Sequence, residues 1–99
     1  MGMIARDERA SPSLYDQLRL IDDARSAAAR RDTAAVFTIL DGYDRAYPRG
    51  QFVPESLALR IETLARAGDG ARARALAARF RHDYPQHPLV ARVAAALGD

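Results

Sequence analysis

The chain has no cysteine. Disulfides and thiolate chemistry are therefore excluded, and nothing about compartment can be read from redox usage. It has no lysine either, so every basic side chain other than its two histidines is an arginine. No apolar run approaches the length of a membrane span. The first six residues, Met-Gly-Met-Ile-Ala-Arg, have neither the apolar centre of a signal peptide nor the Ser or Thr that N-myristoylation needs at position 6. As written, the chain reads as cytoplasmic. Met1-Gly2 ahead of Met3 leaves open a domain cut from a longer, periplasmic or membrane-anchored parent. A concentrated basic patch is also missing. The net charge is only +2, although the isoelectric point is near 9.5. Arginines and aspartates are interleaved along the whole length, the pattern of a solvated helical surface and not of a nucleic-acid binder.

What is present is helix. Alanine is the commonest residue, and alanine and arginine are both strong helix formers. A G- and C-rich genome imposes the same bias, so it is background before it is function. A chain of 99 residues makes one domain at most, with a small core. Residues 1–11 are polar, charged and aperiodic, and are expected as a flexible arm. The folded domain is expected over 12–99, opening with a capping Ser11 and Pro12.

The first helix is expected over 12–31, with Leu14, Leu18, Ile21, Ala24 and Ala28 on one face. Asp32 caps a second over 33–47, whose buried side is Val36, Ile39, Leu40, Tyr43 and Tyr47. Pro48 stops it. A third runs over 54–67 with Leu57, Ile61, Leu64 and Ala65 inward. Gly68-Asp69-Gly70 turns the chain into a fourth over 71–84, striped by Ala73, Leu76, Ala77, Phe80 and Tyr84. A fifth covers 88–97. No segment alternates apolar and polar residues, so no sheet is expected.

The strongest pattern is a repeat. Residues 32–48 align without gaps to 69–85, an offset of 37 residues. Asp32 falls on Asp69, Ile39 on Leu76, Tyr43 on Phe80, and Tyr47-Pro48 on Tyr84-Pro85. The preceding helices keep step, Leu20 with Leu57 and Ala28 with Ala65. A helix pair with one apolar side cannot bury that side alone, and stacking a second pair beside it completes a core. The fifth helix is expected to seal the last face as a cap.

With Gly68-Asp69 in the turn, Ala73 early in the second helix and Pro85 at its end, the second unit resembles a tetratricopeptide repeat. The Phe80-x-x-x-Tyr84-Pro85 ending is similar to a subgroup found in bacterial cell-envelope assembly and division-coordination proteins. The resemblance covers roughly residues 14–97. It implies an all-α fold of two helix-turn-helix repeats plus a C-terminal capping helix, five helices in a right-handed α-solenoid, and a protein-binding role. The period of 37 exceeds the family's usual length of about 34. Ile61, Ala77 and Arg31 also depart from the pattern.

Catalytic signatures are missing. His82 and His87 are five residues apart across a helix break, which is not a chelating spacing. Asp22-Asp23 and Asp41/Asp44 sit among arginines that would hold them ionised as a solvated surface. No nucleophile motif or phosphate-binding glycine loop occurs. Neither catalysis, a metal nor a cofactor is expected.

Tyr15, Leu20, Phe37, Phe52 and Leu59 lie off the main stripes. Either they pack between neighbouring units, or they form an apolar patch for a partner or for self-association, chiefly through Phe37 and Leu59. Arg60, Arg66, Arg72, Arg74, Arg79 and Arg81 form either an ordinary soluble face or a basic inner surface for an acidic peptide. The expected function is an adaptor that binds a protein or peptide. The alternatives are a structural homo-oligomer or subunit of a bacterial assembly, and a regulator touching a transcription factor or nucleic acid.

Overall fold

The computed structural model describes residues 2–98, with side chains from residue 13 to residue 98. Five helices follow one another: α1 (Gly2–Ala29), α2 (Thr33–Ala46), α3 (Val53–Arg66), α4 (Gly70–Asp83) and α5 (Val90–Ala96). No strand occurs among the described residues, and none of the helices is long and apolar enough to cross a membrane. The helix takes in backbone from Gly2 onward instead of starting at Ser11-Pro12. Ile4, Ala5, Arg6, Glu8 and Ala10 supply strong or adequate helix propensity there. Pro12 withholds one N–H but does not end the helix. The docking of the expected arm, residues 1–11, lies outside the described side chains.

The helices form a compact bundle in which α1 packs on α2 and α3 on α4. The pairs meet through α2 against α3 and α1 against α3, and α5 rests on α3 and α4. Two core clusters result. The first holds Ile21, Ala24, Ala27, Val36, Leu40, Tyr43 and Leu59. The second holds Ala58, Ile61, Leu64, Ala73, Ala77, Phe80 and Val93. Shifted by 37 residues, Ile21, Ala24, Ala27, Val36, Leu40 and Tyr43 land on Ala58, Ile61, Leu64, Ala73, Ala77 and Phe80.

The volumes compensate. In the first cluster α1 gives Ala24 and Ala27 while α2 gives Val36 and Leu40. In the second α3 gives Ile61 and Leu64 while α4 gives Ala73 and Ala77. Each core pairs a large side with a small one, in opposite senses, which is what filling the same space at interior density requires.

The backbone repeats as closely as the side chains. Asp32 accepts from the Ala35 N–H at 3.1 Å, and Asp69 accepts from the Arg72 N–H at 3.3 Å. Before each cap the chain turns through a left-handed residue, Gly68 at φ 87° and Arg31 at φ 59°. Arg31 holds that conformation without being glycine because the same pair of closing bonds is made: Asp32 N–H to the Ala27 carbonyl, and Arg31 N–H to the Ala28 carbonyl. Their counterparts are Asp69 to Leu64 and Gly68 to Ala65.

The fifth helix begins as the third does. Val90 bonds to the His87 carbonyl and Val93 to the Leu89 carbonyl, as Val53 bonds to Gly50 and Ser56 to Phe52. α5 therefore starts in the register of α3.

Two expectations about packing are corrected. Leu14 and Leu18 are exposed. The buried stripe of α1 runs instead through Gln17, Ile21, Ala24 and Ala27. Gln17 is tolerated there because its Oε1 accepts from the Tyr43 hydroxyl at 3.0 Å and from the Gln51 N–H at 2.8 Å. The Tyr43 oxygen in turn accepts from the Phe52 N–H at 2.8 Å. Burial, the largest influence, keeps the phenol above its usual pKa and hence a donor. Gly50 lies against this network, where a Cβ would come within 2.5 Å of the Tyr43 hydroxyl.

The second concerns His87, which the sequence placed in a Pro-flanked loop without a partner. It packs edge-on to Phe80 at 5.9 Å. Its Nδ1 accepts from the Leu89 N–H at 3.1 Å. Phe80 has no hydroxyl, so His87 does for the start of α5 what Tyr43 does for the start of α3.

Candidate functional site

Four of the residues expected to meet a partner, Leu59, Phe52, Phe37 and Arg60, are engaged inside the molecule. Leu59 is 5% exposed and belongs to the first core cluster. Phe52 is half-buried against that cluster, and Phe37 is half-buried against the second. The patch expected around Phe37 and Leu59 is thus corrected: α3 lies between two neighbours and buries two faces, so an off-stripe residue there becomes core.

Arg60 is corrected too. Its side chain is 19% exposed and bonds to Asp41 at 3.0 Å and Asp44 at 2.9 Å. Asp44 also accepts from the Ser56 hydroxyl at 3.0 Å, and the guanidinium lies 5.9 Å from the Phe37 ring centre. The Asp41/Asp44 pair, read as solvated, is therefore a brace between α2 and α3.

On α4 the arginines do not form one basic surface with Arg60: Arg79 borders the same cleft, but each of the two is held by an aspartate. Arg72 pairs with Asp69 at 3.6 Å and Arg79 with Asp83 at 3.7 Å, both on their own helix and largely exposed. Arg74 is exposed on the same helix. Tyr15 alone among the expected apolar residues stands free in solvent.

Two open clefts of 260 Å³ are lined by charged residues, and charge balance distinguishes them. One, between α2, α3 and α4, is lined by Asp44, Asp83, Arg60 and Arg79 around Val53, Leu57 and Leu76. Its cations and anions are paired with each other. The other lies where α1, α3 and α5 meet. Its apolar lining is Ala28, Ala29 and Leu59, and its polar lining is Arg25, Glu62, Thr63, Arg66 and Arg92.

In this second cleft Arg92 is fixed by two hydrogen bonds to Glu62, at 2.8 and 2.9 Å. The bond to Glu62 raises the guanidinium pKa above its ordinary value. Arg25 makes a 3.2 Å pair with Asp22 on its own helix, with both side chains exposed. Thr63 is satisfied by the Leu59 carbonyl at 2.7 Å.

Arg66 is the cation left over: among the described residues it has no ion-pair partner. It also borders an adjoining 150 Å³ hollow with Arg31, Thr33 and Val36, and a third of 220 Å³ with Glu62, Ala65 and Ala96. Arg66 sits in the last turn of α3, where a cation complements the helix dipole. It thus stands at the junction of three depressions, with Arg25, Arg31 and Arg92 around it and one carboxylate, Glu62, already committed.

Arg25 and Arg92 were not anticipated, although the repeat carries a signal for Arg25. Arg25 is in register with Glu62, Ala29 with Arg66, and Leu59 with Ala96. Two positions of the cleft thus recur on α1 and α3.

Glu55, in the first turn of α3, keeps one carboxylate oxygen buried without a hydrogen-bond partner among the described residues. The positive end of that helix offsets part of the cost. No group of three or more histidine or carboxylate side chains among the described residues is placed to hold a metal ion. No protein family, curated protein or solved structure matches the chain.

Proposed function

We propose that the protein is a small tetratricopeptide-like adaptor, a solenoid of two helix pairs and the first helix of a third. Its cleft around Arg66 takes a carboxylate-bearing segment of a partner protein. The observation that carries this reading is the uncompensated Arg66 at the meeting point of three hollows, beside the apolar walls of Ala28, Ala29 and Leu59.

Apolar walls supply contact area and the guanidinium supplies orientation, the division of labour of a peptide site. A binding protein fits better than an enzyme, because the other convergent polar groups are spent on packing. Gln17 serves Tyr43, and Asp41 and Asp44 serve Arg60. The repeat arrangement is supported by the matching caps, turns and core positions at the 37-residue offset.

Selection of a displayed random peptide library against the protein tests the proposal. Enriched peptides should carry Asp or Glu beside leucine-like residues. Arg66→Glu should weaken their binding about tenfold to a hundredfold, the range for loss of a hydrogen bond to a charged group followed by repulsion. Arg79→Glu, on α4, should leave it unchanged. Enriched peptides indifferent to Arg66→Glu, or a library from which nothing is enriched, would overturn the proposal.

A further inference from the structure

Resting on the reading of the cleft as a carboxylate site, we propose that Arg92, on α5, is the positioning residue that keeps Arg66 free. It holds the Glu62 carboxylate, which would otherwise close on Arg66. Glu62 and Arg66 stand four positions apart on α3, and both border the cleft and the adjoining hollow beside Ala96. Residues four apart are neighbours on a helix surface, and a glutamate preceding its cation at that spacing is the favourable order for an ion pair. Glu62 and Arg66 nevertheless do not pair: Glu62 is bonded to Arg92 instead.

Geometry decides the choice. Arg92 offers Nε and Nη2 on one edge of its guanidinium, at 2.8 and 2.9 Å from the two Glu62 oxygens. Such a bidentate pair engages both carboxylate oxygens at once and is stronger than a single contact between neighbours on one helix. The Glu62 side chain is 16% exposed, so the pair is little screened. Arg92 is carried by α5, which Val93 anchors in the second core cluster. The repeat does not impose this bond. At the equivalent positions 37 residues earlier stand Arg25 and Glu55, and these two make no ion pair with each other.

With Glu62 committed to Arg92 and Asp22 to Arg25, the cleft presents one uncompensated cation, Arg66. Without Arg92 the Glu62 carboxylate has no partner and stands one turn from Arg66. It then pairs with that guanidinium or repels an incoming carboxylate, and either way the site loses its net charge. Docking of α5 is therefore part of binding, and Arg92 acts through Glu62.

Two readouts test this. Without any ligand, nitrogen-15 spectra of the arginine Nε–H groups should show Arg66 shifted and protected from exchange in Arg92→Gln, but not in the wild type or in Glu62→Gln/Arg92→Gln. The second readout is titration of a peptide enriched from the random library on the wild type. Arg92→Gln should weaken its binding about fivefold to tenfold, the scale of one lost, partly exposed charge contact with repulsion added. Glu62→Gln should strengthen it about twofold or more, and Glu62→Gln/Arg92→Gln should restore it to within about twofold of the wild type. Arg92→Met, which keeps the apolar stem, serves in place of Arg92→Gln if circular dichroism shows that variant to have lost helix. An Arg66 Nε–H unchanged by Arg92→Gln would overturn the proposal. So would a double variant as weak as Arg92→Gln alone, which would make Arg92 a direct contact. A peptide indifferent to Arg66→Glu would overturn the reading of the cleft itself, and with it the role given to Arg92, whatever the spectra show.

Discussion

Leu59→Arg unfolds the protein. The side chain is nearly fully buried at the junction of α1, α2 and α3. Removing it forfeits roughly 1.5–3 kcal/mol of apolar burial. The guanidinium that replaces it finds no carboxylate in the first cluster, which is lined by Ile21, Ala24, Ala27, Val36, Leu40 and Tyr43. An unpaired buried charge adds several kcal/mol more, even after local relaxation. Domains of this size are stable by about 5–15 kcal/mol, and a small core belongs at the lower end. The sum therefore reaches the whole stability. Phe37→Arg should be milder, about 1–3 kcal/mol, because Phe37 is half-buried and the new cation can reach solvent while disturbing Arg60. Thermal denaturation followed by circular dichroism distinguishes the two. A cooperative, near-native melt for Leu59→Arg would mean that this position is not core.

Ile61→Ala with Ala77→Leu should cost much less than the two changes separately. Ile61→Ala opens a cavity in the second cluster, at about 2–5 kcal/mol. Ala77→Leu overpacks the same cluster, at about 1–3 kcal/mol. Together they install the combination already present at the equivalent positions of the first unit, Ala24 and Leu40. The added side chain enters the space the other vacates, so a coupling of roughly 0.5–3 kcal/mol is expected. Urea denaturation of the single and double variants measures it, with an unchanged slope as the sign that one cooperative transition is retained. Strict additivity would show that the two units do not share a packing scheme.

These effects mark how far the sequence could be read. The helix ends inside the repeat were legible to within about two residues, because Asp32, Asp69, Pro48 and Pro85 act locally through caps and a missing N–H. The faces were less legible where partners are distant in sequence. Gln17 is polar and outside the expected apolar face, and it is buried because Tyr43 and Gln51 satisfy it across a long separation. That rotates the buried stripe of α1 and leaves Leu14 and Leu18 outside.

Leu59 lay off the stripe of α3 because a single stripe describes a helix with one neighbour, and α3 touches all four others. Arg60 read as a free cation because Asp41 and Asp44 belong to the preceding helix. The cleft around Arg66 is built from three helices, and only the register between them places Arg25, Arg66 and Arg92 together. Alignment of the repeat identifies equivalent positions, but which of them line a hollow depends on how the first helices lean on one another.

The most direct measurement is a map of backbone amide chemical shifts while a peptide enriched from the random library is titrated into the protein. The account predicts that the largest changes fall on Ala29, Leu59, Thr63, Arg66 and Arg92, around the cleft shared by α1, α3 and α5, with α2 and α4 little affected. Changes centred on α2 and α4, or spread with no focus near Arg66, would contradict it.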